Sequence, residues 1–380
     1  MSTQMRRLLP FALAAVAMSS AGAQSIFDTE LRLAPQFIQY ELKSPNNEKI
    51  SELAIPVFVT IPFGSRFTFD VGTSYARARV TTGSAISEIS GLTDTQLRGN
   101  LTLGTDFVVL TGGVNLPTGQ STVSLEQLTA AGRIGSDFLA FPISNMGTGL
   151  ATTGGIAIAR PIGSWNIGFG GAFRRSSAYE PFNVPGDTPL RFQPGNEVRA
   201  RIGVDRGVGN GRVTLGVTYS AFADDAAGNS VYNTGNRVIA QTIISQQVAG
   251  ADVTLAGYNV FRAPGMYASG EPAGRENIAN GYVGIGFSLL GQYLEPSVEG
   301  RHWYQVIPPA GSGSTATLER SQSSYLGTAA LRTRFTFGGL SIYPSGGYTY
   351  GILATRDAQG RSVDADITGF RAQLAIRVAP

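Results

Sequence analysis

Polar and apolar residues alternate along much of this chain, and this two-residue period constrains the fold more than any other feature. In residues 94–103 every second residue is polar, and leucines occupy several of the positions between them. Residues 197–205 and 371–378 repeat the pattern. Successive side chains of a β-strand point to opposite faces. Each segment is therefore predicted to be a strand with one polar and one apolar face.

The length of the segments and of their connections indicates which kind of sheet they form. The segments reach about 10 residues, as a tilted membrane-spanning strand requires. Short turns are predicted at residues 62–65, 104–106, 161–164, 208–211, 249–251, 290–291 and 338–339. Long polar loops are predicted near residues 43–51, 81–92, 119–149, 177–196, 223–236, 263–277, 307–321 and 354–364. Short turns at one end and long loops at the other are typical of outer-membrane barrels.

These boundaries predict an all-β, transmembrane, antiparallel up-and-down barrel of about 16 strands, from near Leu31 to near Val378. Fourteen strands result if Pro35 and Pro56 make the first hairpin irregular. Only 14% of residues are charged, against about 25% in soluble domains. The mean hydropathy of +0.04 is too low for a bundle of membrane helices. A secreted or periplasmic β protein is the alternative.

The first 23 residues have the three parts of a secretory signal peptide. Arg6 and Arg7 precede an apolar stretch at residues 8–18, and Ala-Gly-Ala follows at residues 21–23. We expect cleavage after Ala23, which leaves residues 24–380 as a single barrel domain. Losing Arg6 and Arg7 reduces the 29 basic residues to 27, against 26 acidic ones. The charge therefore does not indicate a nucleic-acid partner.

Alternation also assigns side chains to lipid or to lumen. Trp165, Phe169 and Phe173 are predicted to face lipid, and Trp303 is expected in an aromatic girdle. The predicted lumen-lining residues are Asp94, Arg98, Arg174, Glu197, Arg199, Arg201, Asp205, Arg332, Arg334 and Arg371. Arginine binds carboxylates through two hydrogen bonds. Both a preference for anionic solutes and a self-neutralising network of arginines and carboxylates fit this pattern.

The loop at residues 119–149 is too long and too apolar for a simple connection. We expect a short helix capped by Thr122, and we expect the loop to fold into or over the barrel mouth. The predicted constriction residues are Leu125, Leu128, Ile134, Phe138 and Phe141. A loop that packs on its neighbours without touching solute is the alternative.

Few residues of the chain suit catalysis. The sequence has no cysteine and a single histidine, His302, on the predicted lipid side without an identifiable partner serine or acid. The glycine-rich residues 207–211 lead into a strand, whereas a phosphate-binding loop leads into a helix. We therefore expect no enzyme activity, no metal and no cofactor. A barrel enzyme that acts on lipid through His302 is the alternative.

Two short motifs carry a family resemblance. Residues 91–98 read Gly-Leu-Thr-Asp-Thr-Gln-Leu-Arg, and residues 113–119 read Gly-Val-Asn-Leu-Pro-Thr-Gly. In this order they resemble outer-membrane proteins of the phenol-degradation meta pathway, relatives of the long-chain fatty-acid transporters. The resemblance implies a channel for hydrophobic or aromatic small molecules. The chain departs from that group because no N-terminal hatch precedes the first strand and because it ends in Pro380 rather than Phe.

These features together predict an outer-membrane channel of a Gram-negative bacterium. Small solutes, preferably hydrophobic or aromatic, are expected to diffuse through it passively for uptake or export. The expected partners are outer-membrane lipids, the barrel-assembly machinery and the solute. A structural or adhesive surface barrel is a further alternative.

Overall fold

The computed structural model describes residues 29–43, 47–104, 107–183, 189–228, 230–267, 271–307, 320–356 and 362–378. The predicted signal peptide, at residues 1–23, lies outside the described residues. So do most of the predicted loop at 307–321 and the middle of the one at 354–364.

The described residues form a closed antiparallel barrel of 16 strands, which confirms the predicted fold class. In chain order the strands are β1 (Glu30–Leu33 and Gln36–Leu42), β2 (Glu48–Phe63), β3 (Phe67–Thr82), β4 (Ala85–Leu92 and Thr95–Leu103), β5 (Val108–Leu116), β6 (Ala151–Ile162), β7 (Trp165–Ser176), β8 (Glu197–Val208), β9 (Gly211–Phe222), β10 (Arg237–Val248), β11 (Ala251–Arg262), β12 (Arg275–Leu289), β13 (Gln292–Ile307), β14 (Arg320–Phe337), β15 (Leu340–Arg356) and β16 (Ser362–Val378).

The barrel closes where β1 pairs with β16. Leu31 lies opposite Val378, and Tyr40 lies opposite Gly369. Pro35 splits β1 into two segments, as its sequence suggested, but both segments continue to pair with β2 and β16. The count is therefore 16 and not 14.

From β5 onward, long connections alternate with tight turns. Tight turns join β2 to β3, β6 to β7, β8 to β9, β10 to β11, β12 to β13 and β14 to β15. The predicted turn between β4 and β5 falls partly on residues 105–106, outside the described residues. Small strands in two of the long loops, at residues 192–193, 225–227 and 230–232, pair with one another.

The long loop predicted at residues 81–92 is wrong. A two-residue turn at Gly83 and Ser84 joins β3 to β4, and the strand continues to Leu92. Gly83 has a φ of +59°, which a glycine adopts without strain. The polar residues Ser87, Glu88 and Ser90, which suggested a loop, belong to the strand.

One extra residue in β4 changes which of its residues face the lumen, from the odd-numbered to the even-numbered ones. Tyr75 of β3 pairs with Leu92, but Gly72 pairs with Gln96. Two residues of β3 thus oppose three of β4, which is a β-bulge at residues 93–95. Ile89 faces inward before the bulge, and even-numbered residues such as Arg98 face inward after it.

The outer face of the barrel is apolar and the inner face is largely polar. Phe169, Val198 and Val298 point outward with 57%, 56% and 61% of their surfaces exposed. Trp303, expected in an outer girdle, instead points inward, where its ring lies 6.2 Å from that of Phe138. Trp303 points inward because the odd-numbered residues of β13 face the lumen. In the part of the chain that the structure describes, no helix is long and apolar enough to cross a membrane.

Adjacent residues of β9 test this assignment of faces. Leu215 points outward and is 43% exposed, whereas Thr214 lies opposite Asp205 on the inner face. Leu215→Arg should destabilise the barrel folded in lipid vesicles by roughly 2 to 4 kcal/mol, since it puts a charge on the face that meets lipid. Thr214→Arg is the matched control and should cost much less. Equal losses of unfolding free energy in urea titrations would contradict the assignment.

Candidate functional site

The loop between β5 and β6 folds into the barrel. It contains a short 3₁₀ turn (Leu125–Gln127) and the helix α1 (Leu128–Ile134). We call residues 117–150 the inserted loop. Its apolar side chains Ile134, Phe138, Leu139, Phe141 and Met146 are buried in one cluster with inner-face residues of the wall. These wall residues are Ile38, Tyr40, Leu42, Ile50, Ala76, Ala78, Val80, Ile89, Leu326 and Ile367.

Polar contacts attach the inserted loop to β1 and β2. Arg133 donates two hydrogen bonds to Glu48, at 2.6 and 2.7 Å. The backbone N–H of Ile143 donates to Glu52 Oε1 at 2.9 Å. The Tyr40 hydroxyl donates to the Leu139 carbonyl at 3.2 Å. Four hydrogen bonds thus hold the loop against this wall.

The same loop also reaches the wall of β11 to β13. Arg301 donates to the Phe138 carbonyl at 2.8 Å, and Arg262 forms an ion pair with Asp137 at 2.9 Å. The Phe138 ring packs on Trp303. The loop is therefore fixed on two sides of the lumen.

Asp94, predicted to line the lumen, anchors both ends of the inserted loop. Its carboxylate accepts hydrogen bonds from Gly119 N at 3.1 Å, Thr148 N at 2.7 Å and Asn115 Nδ2 at 3.1 Å. A Cβ on Gly119 would lie 2.0 Å from the carbonyl oxygen of Met146, so only glycine fits there. The two motifs that carry the family resemblance are thus joined by the hydrogen bonds of Asp94.

The predicted constriction residues separate into two groups. Ile134, Phe138 and Phe141 are buried against the wall, whereas Leu125 and Leu128 are 54% and 36% exposed. The predicted helix exists, but the N-cap of the 3₁₀ turn that leads into it is Ser124. The backbone N–H of Ser124 donates to Gln127 Oε1 at 3.1 Å. Thr122 does not cap the helix, because its hydroxyl donates to the Glu180 carbonyl at 2.7 Å.

Charged side chains on β12 to β16 neutralise one another. Glu299 accepts hydrogen bonds from Arg301 at 2.9 Å and from Arg371 at 2.8 Å. Glu295 accepts from Arg332 and, at 2.8 Å, from the Tyr282 hydroxyl.

The remaining predicted lumen residue of these strands, Arg334, lies over the Tyr293 ring, 4.6 Å from its centroid. Arg98 on β4 pairs with Asp70 at 3.0 Å, and Asp205 on β8 pairs with Arg212 at 2.8 Å. All three side chains are thus held by neighbours on the wall.

Arginines on β7 to β10 are less completely paired. Arg174 and Arg201 have no ion pair or hydrogen bond to any described residue. Arg199 pairs with Glu197 at 2.8 Å. Arg237 stacks 5.7 Å from the Phe222 centroid, and its Nε has no hydrogen-bond partner among the described atoms. Alternation did not single out Arg237 as a lumen residue, because it is the first residue of β10 and no alternating residues precede it in the strand.

The wall beside these arginines is made of small residues. Gly168 of β7 lies opposite Gly203 of β8, which lies opposite Gly216 of β9. On β6, Gly155 and Ala157 face inward in the neighbouring positions. The space inside the barrel is therefore filled by the inserted loop on one side and bordered by small side chains on the other.

Comparison with known proteins found solved structures that resemble this chain at low sequence identity. No family model matches the chain, and no curated protein is similar to it in sequence. Among solved structures, OprB of Pseudomonas putida is 9% identical with a TM-score of 0.48, over 92% of this chain and 94% of that one.

The anion-selective porin from Comamonas acidovorans is 12% identical with a TM-score of 0.44, over 93% and 99% of the two chains. The CymD monoaromatic hydrocarbon channel is 9% identical with a TM-score of 0.41, over 93% and 88%.

Phe138 offers a test of how firmly the inserted loop is held. Phe138→Ala removes a fully buried ring and should weaken docking of the loop by about 3 to 5 kcal/mol. Proteolysis should then cut the loop in the folded barrel at least tenfold faster. Leu125→Ala is the matched control, because Leu125 is exposed, and cleavage should stay at the wild-type rate. Equal rates for both variants would mean that the buried cluster does not hold the loop.

Proposed function

We propose that the protein is an outer-membrane channel through which small solutes diffuse. The observation that carries the proposal is the inverted distribution of side chains between the two faces of the barrel. Outward residues such as Phe169, Phe173 and Val198 are exposed, while Glu197 and Glu295 point inward. A closed barrel satisfies its backbone hydrogen bonds in hydrocarbon, and an apolar outer band suits lipid.

A passage is supported by the position of the inserted loop. The buried contacts of the loop are with β1 to β4, β13, β14 and β16. The inner face of β7 and β8 carries Gly168, Gly170 and Gly203, where an added Cβ would meet no atom closer than 3.6 Å. Solute would pass between the loop and this wall, driven by its own gradient.

The geometry modifies the expected cargo. Ile134, Phe138 and Phe141 face the wall, so they do not offer a hydrophobic surface to a passing solute. The exposed apolar side chains on the loop include those of Leu125 and Leu128, two of the predicted constriction residues. A preference for hydrophobic or aromatic solutes therefore rests on the motif resemblance and on these two leucines.

Hydrolysis through His302 is less well supported. His302 is exposed on the outer face, where Ala279 and Tyr325 are its cross-strand neighbours. Among the described residues no hydrogen bond or ion pair joins His302 to a serine or a carboxylate. A nucleophile activated by a base requires such a contact.

Location in the outer membrane is part of the same proposal. Residues 1–23 would direct export, and the barrel-assembly machinery would insert the folded strands. The surrounding partners would be the outer-membrane lipids, in contact with the apolar outer face.

Filling the small-residue wall tests the passage. A Cβ on Gly203 meets nothing closer than 3.6 Å, so Gly203→Tyr should fold and place a ring in the lumen. Single-channel conductance in planar bilayers should fall at least twofold. Gly154→Tyr, on the outer face with open space around it, should conduct like the wild type. Absence of conductance steps from folded wild-type protein would favour a structural or adhesive barrel instead.

A further inference from the structure

We propose that the lumen selects small monocarboxylates with a compact apolar body, of about the size of benzoate. The inference rests on the proposed channel function and names its solute class. Two neighbouring inner surfaces carry it. One is the arginine ladder, which we define as Arg174, Arg199, Arg201 and Arg237. The other is the apolar strip, which we define as Ile239, Ile243 and Val260.

The members of the arginine ladder are close enough to pass an anion between them. Arg174 of β7 lies opposite Glu197 of β8. Arg199 and Arg201 follow Glu197 on β8, two and four residues later. Ser220 separates Arg199 from Arg237 in one row across β8, β9 and β10. With about 3.4 Å per residue and 4.8 Å between strands, successive Cα atoms are about 7 to 10 Å apart. Guanidinium groups at this spacing allow an anion to move from one arginine to the next.

The ladder carries positive charge that the wall does not neutralise. Arg174 and Arg201 lack partners among the described residues, and Arg237 stacks on the Phe222 ring and lies within electrostatic range of Glu197 and Asp137 without a hydrogen bond to either. Among the described residues, one carboxylate, that of Glu197, forms an ion pair with a member of the ladder. A wall on which positive charge predominates focuses the electrostatic potential in the lumen and raises the local concentration of anions.

The apolar strip lies beside the ladder at the same level of the sheet. Arg201 lies opposite Thr218, which lies opposite Ile239, which lies opposite Val260. Arg201 and Ile239 are thus two strands apart, about 10 Å between Cα atoms. Ile239, Ile243 and Val260 remain half-exposed. The next residue in the row, Ile278, is buried on the side that the inserted loop occupies.

The two surfaces together define the solute. A guanidinium group holds a carboxylate through two parallel hydrogen bonds. A compact ring attached to that carboxylate would cover Ile239 and Val260, which otherwise contact water. Phosphate and acetate satisfy the arginines but leave the strip uncovered, so they should bind more weakly than benzoate.

The first test measures ion selectivity of the purified protein in planar bilayers under a potassium chloride gradient. The reversal potential should show preference for chloride over potassium. Arg174→Gln and Arg201→Gln should each reduce the permeability ratio at least twofold. Arg175→Gln removes the same charge from the adjacent, outward-facing position and should leave the ratio unchanged. Cation selectivity, or equal effects of Arg175→Gln and Arg174→Gln, would overturn the proposal.

The second test titrates benzoate, acetate, phosphate and neutral benzamide against the chloride current. Benzoate should inhibit at about tenfold lower concentration than acetate or phosphate, since only its ring buries apolar area. Ile239→Thr should remove that difference and preserve the preference for chloride. Equal inhibition by benzoate and phosphate in the wild type would overturn the role of the strip. A wild-type protein that folds and passes no current would refute the channel itself, which separates the two failures.

Discussion

The pairing of β1 with β16 is the constraint on which the rest of the structure depends. A sheet in hydrocarbon has no water to satisfy an open edge, so every strand must find two neighbours. Closure holds even at Pro35, which cannot donate a hydrogen bond. There the Leu374 N–H donates to the Pro35 carbonyl at 2.9 Å, and the Ala34 N–H donates to the Pro56 carbonyl at 3.2 Å. Once the sheet is closed, alternation fixes which residues face lipid and which face the lumen.

Closure also creates a need for the inserted loop. The inner face of β1 to β4 carries Ile50, Val80 and Ile89, which would contact water in an empty barrel. With the loop in place each of them is at most 2% exposed. The loop in turn buries Ile134 and Phe138, so each apolar surface covers the other. Burial of this kind, at about 25 cal/mol per Å² of apolar surface, explains why a loop with much apolar content lies inside a barrel instead of above it.

The sequence predicts the features that follow from local periodicity. Sixteen strands, the tight turns and the outward orientation of Trp165 and Phe169 are recovered from alternation and turn residues. The errors arise where one residue changes the outcome. The turn at Gly83 lies within a polar stretch whose composition is typical of a loop. The bulge at residues 93–95 shifts the phase of β4, and Trp303 looks like a girdle residue because it lies near a strand end.

Contacts between residues distant in the chain were beyond prediction. Nothing local shows that Asp94 accepts hydrogen bonds from Gly119 and Thr148, or that Arg133 meets Glu48. Periodicity gives the face of a residue but not its partner across the barrel. For the same reason, the paired arginines could not be distinguished from those without a partner among the described residues.

The pattern of charge pairing indicates which arginines of the lumen contact water. An arginine removed from water requires a carboxylate or a carbonyl partner, because an unpaired buried charge costs several kcal/mol. The arginines around the inserted loop meet this condition. Arg301, with a side chain only 12% exposed, contacts Glu299 and the Phe138 carbonyl. Among the residues that the structure describes, Arg174 and Arg201 have no ion pair or hydrogen bond, so water or a passing anion would solvate them. In the proposed channel, the arginines without a described partner would line the side of the lumen left open by the inserted loop, where they would be available to a solute.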